Sequence, residues 1–401
     1  MLPILGIVLA FMLIVALRLR NVDFSLSILG GSIIIAVTTS RPIEILISSG
    51  FSTVTDPLTF DIVAAVILIT VLGYSLKETR MMAELIEDLR TVLPSRILLA
   101  LIPAMFGLLS IPGGALMSAP FNEPEANRLG LKPEQKTFIN VWFRHLWYWA
   151  SPISPVPILA ASLSGINLVT YLSAQLPIFF VTISIGVIVS WSFYKGVTTK
   201  ARGPRGYRDV ALGLTPIIAT VVLSAIGLPV WCALIVGIAI VFILRRVPIG
   251  AAIRMVQEGA RWDIAISVVA MLFFRQVVTS SDSVNAVLEA ANDLGIPFLL
   301  IITTVPLLVG ALSGTPTMGI GIVFPLLLPI YRISAINLIS IIYAGIISGY
   351  LASPMHLCLI LTNSYYKSEL NKVYKYLVPS AALLYSINVI YHLAMNGGIP
   401  I

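Results

Sequence analysis

The chain has 401 residues, 58% of them hydrophobic and only 11% charged, with a mean hydropathy of +0.98. Soluble domains are about half apolar and a quarter charged, so a water-soluble fold is excluded and an all-α polytopic membrane protein in a lipid bilayer is expected. The formal net charge of +7 calls for no acidic partner, and no nucleic acid, because most of it falls in loops where it sets membrane orientation.

Apolar runs place membrane elements at 2–17, 24–39, 58–76, 97–120, 137–165, 171–194, 210–227, 229–244, 263–280, 297–330, 336–363 and 376–394. The first reads as a retained helix: Arg18 and Arg20 follow the apolar run, and no small-residue cleavage site is present. After the third run, Met82, Leu85, Ile86, Leu89 and Leu93 form one apolar stripe at helical spacing, suited to the membrane surface. Ser110-Ile111-Pro112-Gly113-Gly114 then cuts the fourth run, and Ser151-Pro152-Ile153-Ser154-Pro155 cuts the fifth. Residues 195–209, basic and carrying Gly196, Gly203, Pro204 and Gly206, read as a cytoplasmic linker between halves 1–194 and 210–401.

The second half repeats the first. Asp61-Ile62 answers to Asp263-Ile264, and Pro103, Gly107, Leu109 and Ser110 answer to Pro306, Gly310, Leu312 and Ser313. Tyr148, Ala150, Ser151 and Pro152 reappear as Tyr350, Ala352, Ser353 and Pro354. A second surface stripe is expected at Val284, Val287, Leu288, Ala291 and Leu294. Ser313-Gly314-Thr315-Pro316-Thr317 splits 297–330 into arms of about 20–24 Å, too short to span, so both split segments are expected to be re-entrant hairpins.

Charge supports that choice. With non-crossing hairpins, each half crosses five times, and the second is inverted relative to the first. With both termini outside the plasma membrane, of the 25 Lys and Arg residues only Arg41 and Arg332 fall outside, while Arg144 and Arg275 lie within spans. Crossing hairpins would export the basic 195–208 loop, against the positive-inside rule.

Broken apolar helices at matching places in two halves point to a transporter's binding site. Ser110, Gly113 and Gly114 are expected at one tip, and Ser313, Gly314, Thr315 and Thr317 at the other. Ser151, Ser154, Ser353, Thr362 and Asn363 are expected to line the two breaks. Hydroxyls and free backbone groups there suit a small anion and a coupling cation; the alternative for such small residues is tight helix packing. Arg144 sits inside a span, where its fork suits a carboxylate substrate, a hairpin carbonyl, or Glu123 or Glu125. His145 and His356 are candidates for proton coupling or for plain structural hydrogen bonding. Cys232 and Cys358 read as packing residues, and no Cys/His spacing suggests a metal site. No hydrolase, Walker or dinucleotide motif suggests an enzyme or a bound cofactor beyond Na⁺ or H⁺ as coupling ion.

Inverted halves, a hairpin before each broken helix and a basic mid-loop make the chain resemble the ion transporter superfamily of citrate, dicarboxylate and gluconate carriers. Phe138-Ile139-Asn140-Val141-Trp142-Phe143-Arg144-His145 and Ser313-Gly314-Thr315-Pro316-Thr317-Met318-Gly319 look most like a prokaryotic branch of it. Where members carry Ser-Asn-Thr at the tip, this chain has Ser110-Ile111-Pro112 and Ser313-Gly314-Thr315. The resemblance implies a homodimer whose transport domain slides against a scaffold, moving a small organic anion by cation-coupled secondary transport. A passive anion channel is the alternative, and an intramembrane enzyme using Ser and His145 a third.

Overall fold

A computed structural model describes residues 2–20, 22–108, 114–194, 207–281, 295, 297–330, 333 and 335–395, and all regular structure among them is helical. The first tip residues Ser110 and Gly113, the linker through 206 and the stripe at 284–294 lie outside the described residues.

In the first half, α1 (Leu2–Leu19) and α2 (Phe24–Val37) pair. α3 (Pro42–Thr55) and α4 (Pro57–Glu78) follow, with Asp56 capping α4 through the Leu58 N–H at 3.0 Å. α5 (Met81–Val92) carries the expected stripe, with Met82, Leu85, Ile86 and Leu89 all buried. The 97–120 run resolves into α6 (Ser95–Leu108) and α7 (Gly114–Arg128), whose arms pack on each other. The 137–165 run resolves into α8 (Pro133–Arg144), a short turn at Leu146–Tyr148 and α9 (Pro155–Ser164), followed by α10 (Leu168–Trp191).

The second half runs through α11 (Tyr207–Ala225), α12 (Val230–Leu244), α13 (Ile249–Gly259) and α14 (Trp262–Ser280). Its hairpin arms are α15 (Phe298–Ser313) and α16 (Pro316–Ile330). Its broken segment is α17 (Ile336–Ala352) and α18 (Leu357–Tyr366), before α19 (Leu370–Met395). Six helical segments among the described residues are long and apolar enough to cross a membrane; one of them, Ile336–Tyr366, includes the second break.

Both breaks have the same local cause. A residue before proline is driven out of the helical region, and Ser353 before Pro354 is extended (φ −70°, ψ 135°), as is Ser154 before Pro155 (φ −90°, ψ 134°). The freed backbone is caught locally. Ser151 Oγ accepts from Ile153 N at 3.2 Å, and Ser353 Oγ accepts from Met355 N at 3.0 Å. α3 and α13 were not expected from hydropathy, because polar residues dilute them. α3 turns Ile43, Ile47, Phe51 and Val54 outward as one exposed apolar row, as a helix bathed in lipid would.

Packing is reciprocal between halves. α2 packs on α14 and α12 on α4; α3 packs on α14 and α13 on α4; α16 packs on α9 and α7 on α18. Each hairpin's first arm meets its own broken helix through a glycine. A Cβ on Gly107 would fall 1.8 Å from the Arg144 carbonyl oxygen, and one on Gly310 would fall 2.2 Å from that of Ile346. Backbone cannot yield as a side-chain tip can. Gly107→Ala and Gly310→Ala are therefore each expected to cost at least about 1–3 kcal/mol, the scale of forced overpacking. Gly250→Ala, where a Cβ meets nothing within 4 Å, should be neutral or slightly stabilising. Unfolding titration in mixed micelles measures the difference; equal stabilities would refute the close packing.

α5 is tied at both ends. Glu84 accepts from Arg245 at 2.6 Å, near the end of α12, and Arg90 meets Glu125 of α7 at 3.3 Å. Arg90 also donates to the Phe121 carbonyl at 2.7 Å, and Ser95 donates to Glu125.

Candidate functional site

Two half-helices from different halves aim their N-termini at one cavity. α9 begins at Pro155 behind Ser154, and α16 begins at Pro316 behind Thr315; the two helices pack together. Proline suits both positions, since the first-turn N–H has no helical partner. The cavity, about 260 Å³, is walled on this side by Pro155, Leu159, Thr315, Thr317 and Met318. Across it stand Phe24, Ile62, Val66, Ser267 and Met271, with the carboxylates of Asp23 and Asp263.

The polar groups are few and specific. Ser154 Oγ is fully buried and has no hydrogen-bond partner, an uncommon state for a buried hydroxyl. Thr315 Oγ1 accepts from Met318 N at 3.4 Å, and Ser313 Oγ donates to the Thr315 carbonyl at 3.0 Å, which shapes the tip. Gly314 takes φ +70°, a conformation glycine adopts without strain, and a Cβ there would press on the Met355 carbonyl at 3.3 Å. The second tip therefore rests on the second break. Ser353 strengthens that contact, donating to the Ala311 carbonyl at 2.5 Å.

Each helix N-terminus carries about half a positive charge, so the pair matches roughly one anionic charge. Opposite them, Asp263 is held in a bidentate pair by Arg261 (2.8 and 2.6 Å). Asp23 caps α2 through Ser25 N at 2.8 Å, and no described Lys or Arg pairs with it. A larger cleft of about 430 Å³, lined by Asp61, Ser162, Asn167 and Trp231, lies against the other end of α9 and is not lined by the second tip, Ser313–Thr317.

The structure divides the residues singled out from the sequence. Thr315 and Thr317 line the cavity, while Ser154 caps the half-helix whose first residue lines it. Ser151 and Ser353 serve the turns at the breaks. Thr362 lies roughly two turns beyond the second break, accepting from Asn140 Nδ2 at 3.0 Å, and Asn140 Oδ1 accepts from Ser118 at 2.8 Å. Asn363 Oδ1 accepts from Ser368 at 2.5 Å, and Ser368 bonds Thr137 at 2.8 Å. Neither Thr362 nor Asn363 reaches the cavity; both lock α18 to its neighbours. Gly114 opens α7. Glu125 pairs with Arg90, and Glu123 accepts from Tyr365 at 2.8 Å.

Arg144 is buried at the end of α8, off the cavity wall, and is engaged there rather than free. It borders a buried cluster where the two breaks meet. His145 packs on Tyr148, Tyr350 and His356, and Tyr350 lies against His356 with ring centroids 4.0 Å apart. The Tyr343 hydroxyl ties the first break by donating to the Tyr148 carbonyl at 2.5 Å.

Sequence reasoning missed Asp23 as a cavity residue. A loop aspartate ahead of an apolar run reads as a helix cap, which it also is; only the packing of α2 on α14 brings it to the cavity. Asp263 carries a signal in its match to Asp61, but a carboxylate opening a helix is already accounted for by the helix dipole.

The fold is similar to the crystal structure of the YdaH transporter of Alcanivorax borkumensis, with a TM-score of 0.68 over 89% of each chain at 15% sequence identity. No curated protein matches the sequence. A family model described as "Protein of unknown function (DUF401)" matches residues 4–395, nearly the whole length, and the chain belongs to that family.

Proposed function

We propose that this protein is a secondary active transporter of a small organic anion, a carboxylate by preference, coupled to Na⁺ or H⁺. The observation that carries the reading is the convergence of two half-helix N-termini, one from each half, on a small cavity beside an uncommitted buried hydroxyl. The likeness to a transporter's fold supports it. Helix N-termini inside a membrane are ready anion sites, and the apolar remainder of the wall excludes water. Asp23 facing those dipoles would repel a lone anion, which is a reason for a cation to enter with it. Arg144 adds positive field at the neighbouring break.

In this reading the halves are inverted repeats of the ion transporter superfamily type. The helical hairpins and broken helices move as a body against α2, α4, α12 and α14, in a homodimer of the plasma membrane. The cavity mouth, at Asp23 and the Arg261–Asp263 pair, lies on the side assigned to the basic loops, which makes this an inward-facing arrangement.

Uptake into proteoliposomes under imposed Na⁺ or pH gradients, across a panel of mono- and dicarboxylates, tests the proposal. Accumulation should be saturable and collapse without the gradient. Ser154→Ala with Thr317→Val should lower it by about tenfold, the worth of one lost hydrogen bond to a charged ligand, with protein yield unchanged. Asp23→Asn should weaken its dependence on the coupling ion. Absence of accumulation of any organic anion would sink the proposal, and gradient-independent unitary currents would replace it with a channel.

A further inference from the structure

The buried cluster where the two breaks meet has a composition that anion transport does not use. His145 ends the first half-helix of the first broken segment, and His356 and Cys358 open the second half-helix of the other. One ligand atom from each lies within 4.8 Å of the others. His145 Nδ1–H donates to the Val141 carbonyl at 2.6 Å, which fixes the tautomer and leaves Nε2 as an acceptor; there the Tyr350 hydroxyl donates at 3.4 Å, a long bond that an ion would displace. His356 is fully buried, and among the described residues neither of its ring nitrogens makes a hydrogen bond of good geometry. The Leu351 backbone lies near enough to that ring to interact with it. A buried imidazole so weakly engaged is costly unless something occupies it.

We propose that His145, His356 and Cys358 bind a single divalent transition-metal ion of the zinc type. Two imidazoles and a thiol select borderline and soft ions over Mg²⁺ or Ca²⁺, which need oxygen ligands. Four-coordinate zinc holds N and S donors about 3.3–3.6 Å apart, so the three atoms must close by roughly 1 Å, within reach of side-chain rotation. Two bonds form from imidazole nitrogen and one from sulfur; the thiol proton leaves to water, so the ion binds against a thiolate. Arg144 borders both histidines, and its charge opposes any cation here. The thiolate is therefore required, not helpful. Cys358 is the partly exposed member of the three, so an ion enters past it. Because the ligands come from both breaks, a bound ion pins one break to the other.

Cobalt(II), titrated into the purified full-length protein in detergent, reads the site independently of any transport. One equivalent per chain should bind with thiolate-to-cobalt charge-transfer absorption and the intense visible bands of four-coordination, displaced by zinc and not by magnesium. Cys358→Ser should abolish the charge-transfer band, His356→Asn should weaken binding by at least about tenfold, and Cys232→Ser should leave both intact. Zinc should also protect Cys358, but not Cys232, from maleimide in the unmutated protein, a readout that stands if a variant misfolds. A spectrum without thiolate character, a band that survives Cys358→Ser, or equal alkylation of Cys358 with and without zinc would each overturn the proposal.

Discussion

Oxidising a Met271→Cys/Gly321→Cys double variant is expected to reduce uptake to the level of empty vesicles, and reduction should restore it. Gly321 lies on α16 and Met271 on α14, and a Cβ built on Gly321 falls 3.5 Å from Met271 Cβ. That is within the span a disulfide bridges, so the pair should close without moving backbone. Replacing Met271 also removes the sulfur that would crowd a new side chain at Gly321. The bond would join the second hairpin to a helix of the body proposed to stay still. If transport needs those bodies to slide, the bond stops it; if the solute passes through a fixed pore, the bond does little. Each single variant, oxidised in parallel, controls for damage by the oxidant. Full uptake by a double variant shown to be cross-linked would eliminate the sliding mechanism.

The second large effect is on stability. Arg90→Met is expected to destabilise the protein by about 3–5 kcal/mol, the range for removing one partner of a buried ion pair. Glu125 is fully buried and would lose its guanidinium, while the Arg90 side chain is only 10% exposed. Glu125→Gln should cost less, because Arg90 keeps the Phe121 carbonyl and Glu87. Combining Arg90→Met with Glu125→Gln should recover part of the loss, since the carboxylate that loses its guanidinium is neutralised with it; the non-additivity isolates the pair. Unfolding titration in mixed micelles measures all three. Strict additivity, or an Arg90→Met cost below that of Glu125→Gln, would show that the pair does not anchor the hairpin.

What could be read from the sequence was what local chemistry determines. Ser-Pro and Gly-Thr-Pro cannot continue a helix whatever surrounds them, so the breaks at Ser151–Ser154, Ser313–Thr317 and Ser353 appear where expected. The glycines matched across the repeat, Gly107 and Gly310, turned out to be matched points of backbone contact. What escaped was set by packing between distant elements. Thr362 and Asn363 look like site residues because they are polar on an apolar helix, yet Asn140 and Ser368 engage them. Asp23 becomes a cavity wall only when α2 docks on α14. The His145, His356 and Cys358 cluster has no metal-ligand spacing to recognise, since His145 comes from the first half of the chain and the other two from the second. Polar dilution hid α3 and α13 from any hydropathy window.

The two fastenings of α5 differ in strength. Glu84 is 55% exposed and Arg245 29% exposed, so solvent screens their contact, and such pairs are worth at most about 1 kcal/mol. The Arg90–Glu125 end is shielded and firm. An oar with one tight rowlock and one loose hand swings about the tight end: under load α5 should stay with the first hairpin and let go of α12. If the proposed sliding occurs, charge reversal at Glu84 would then alter how fast the stroke repeats, and leave untouched how tightly the cargo is held.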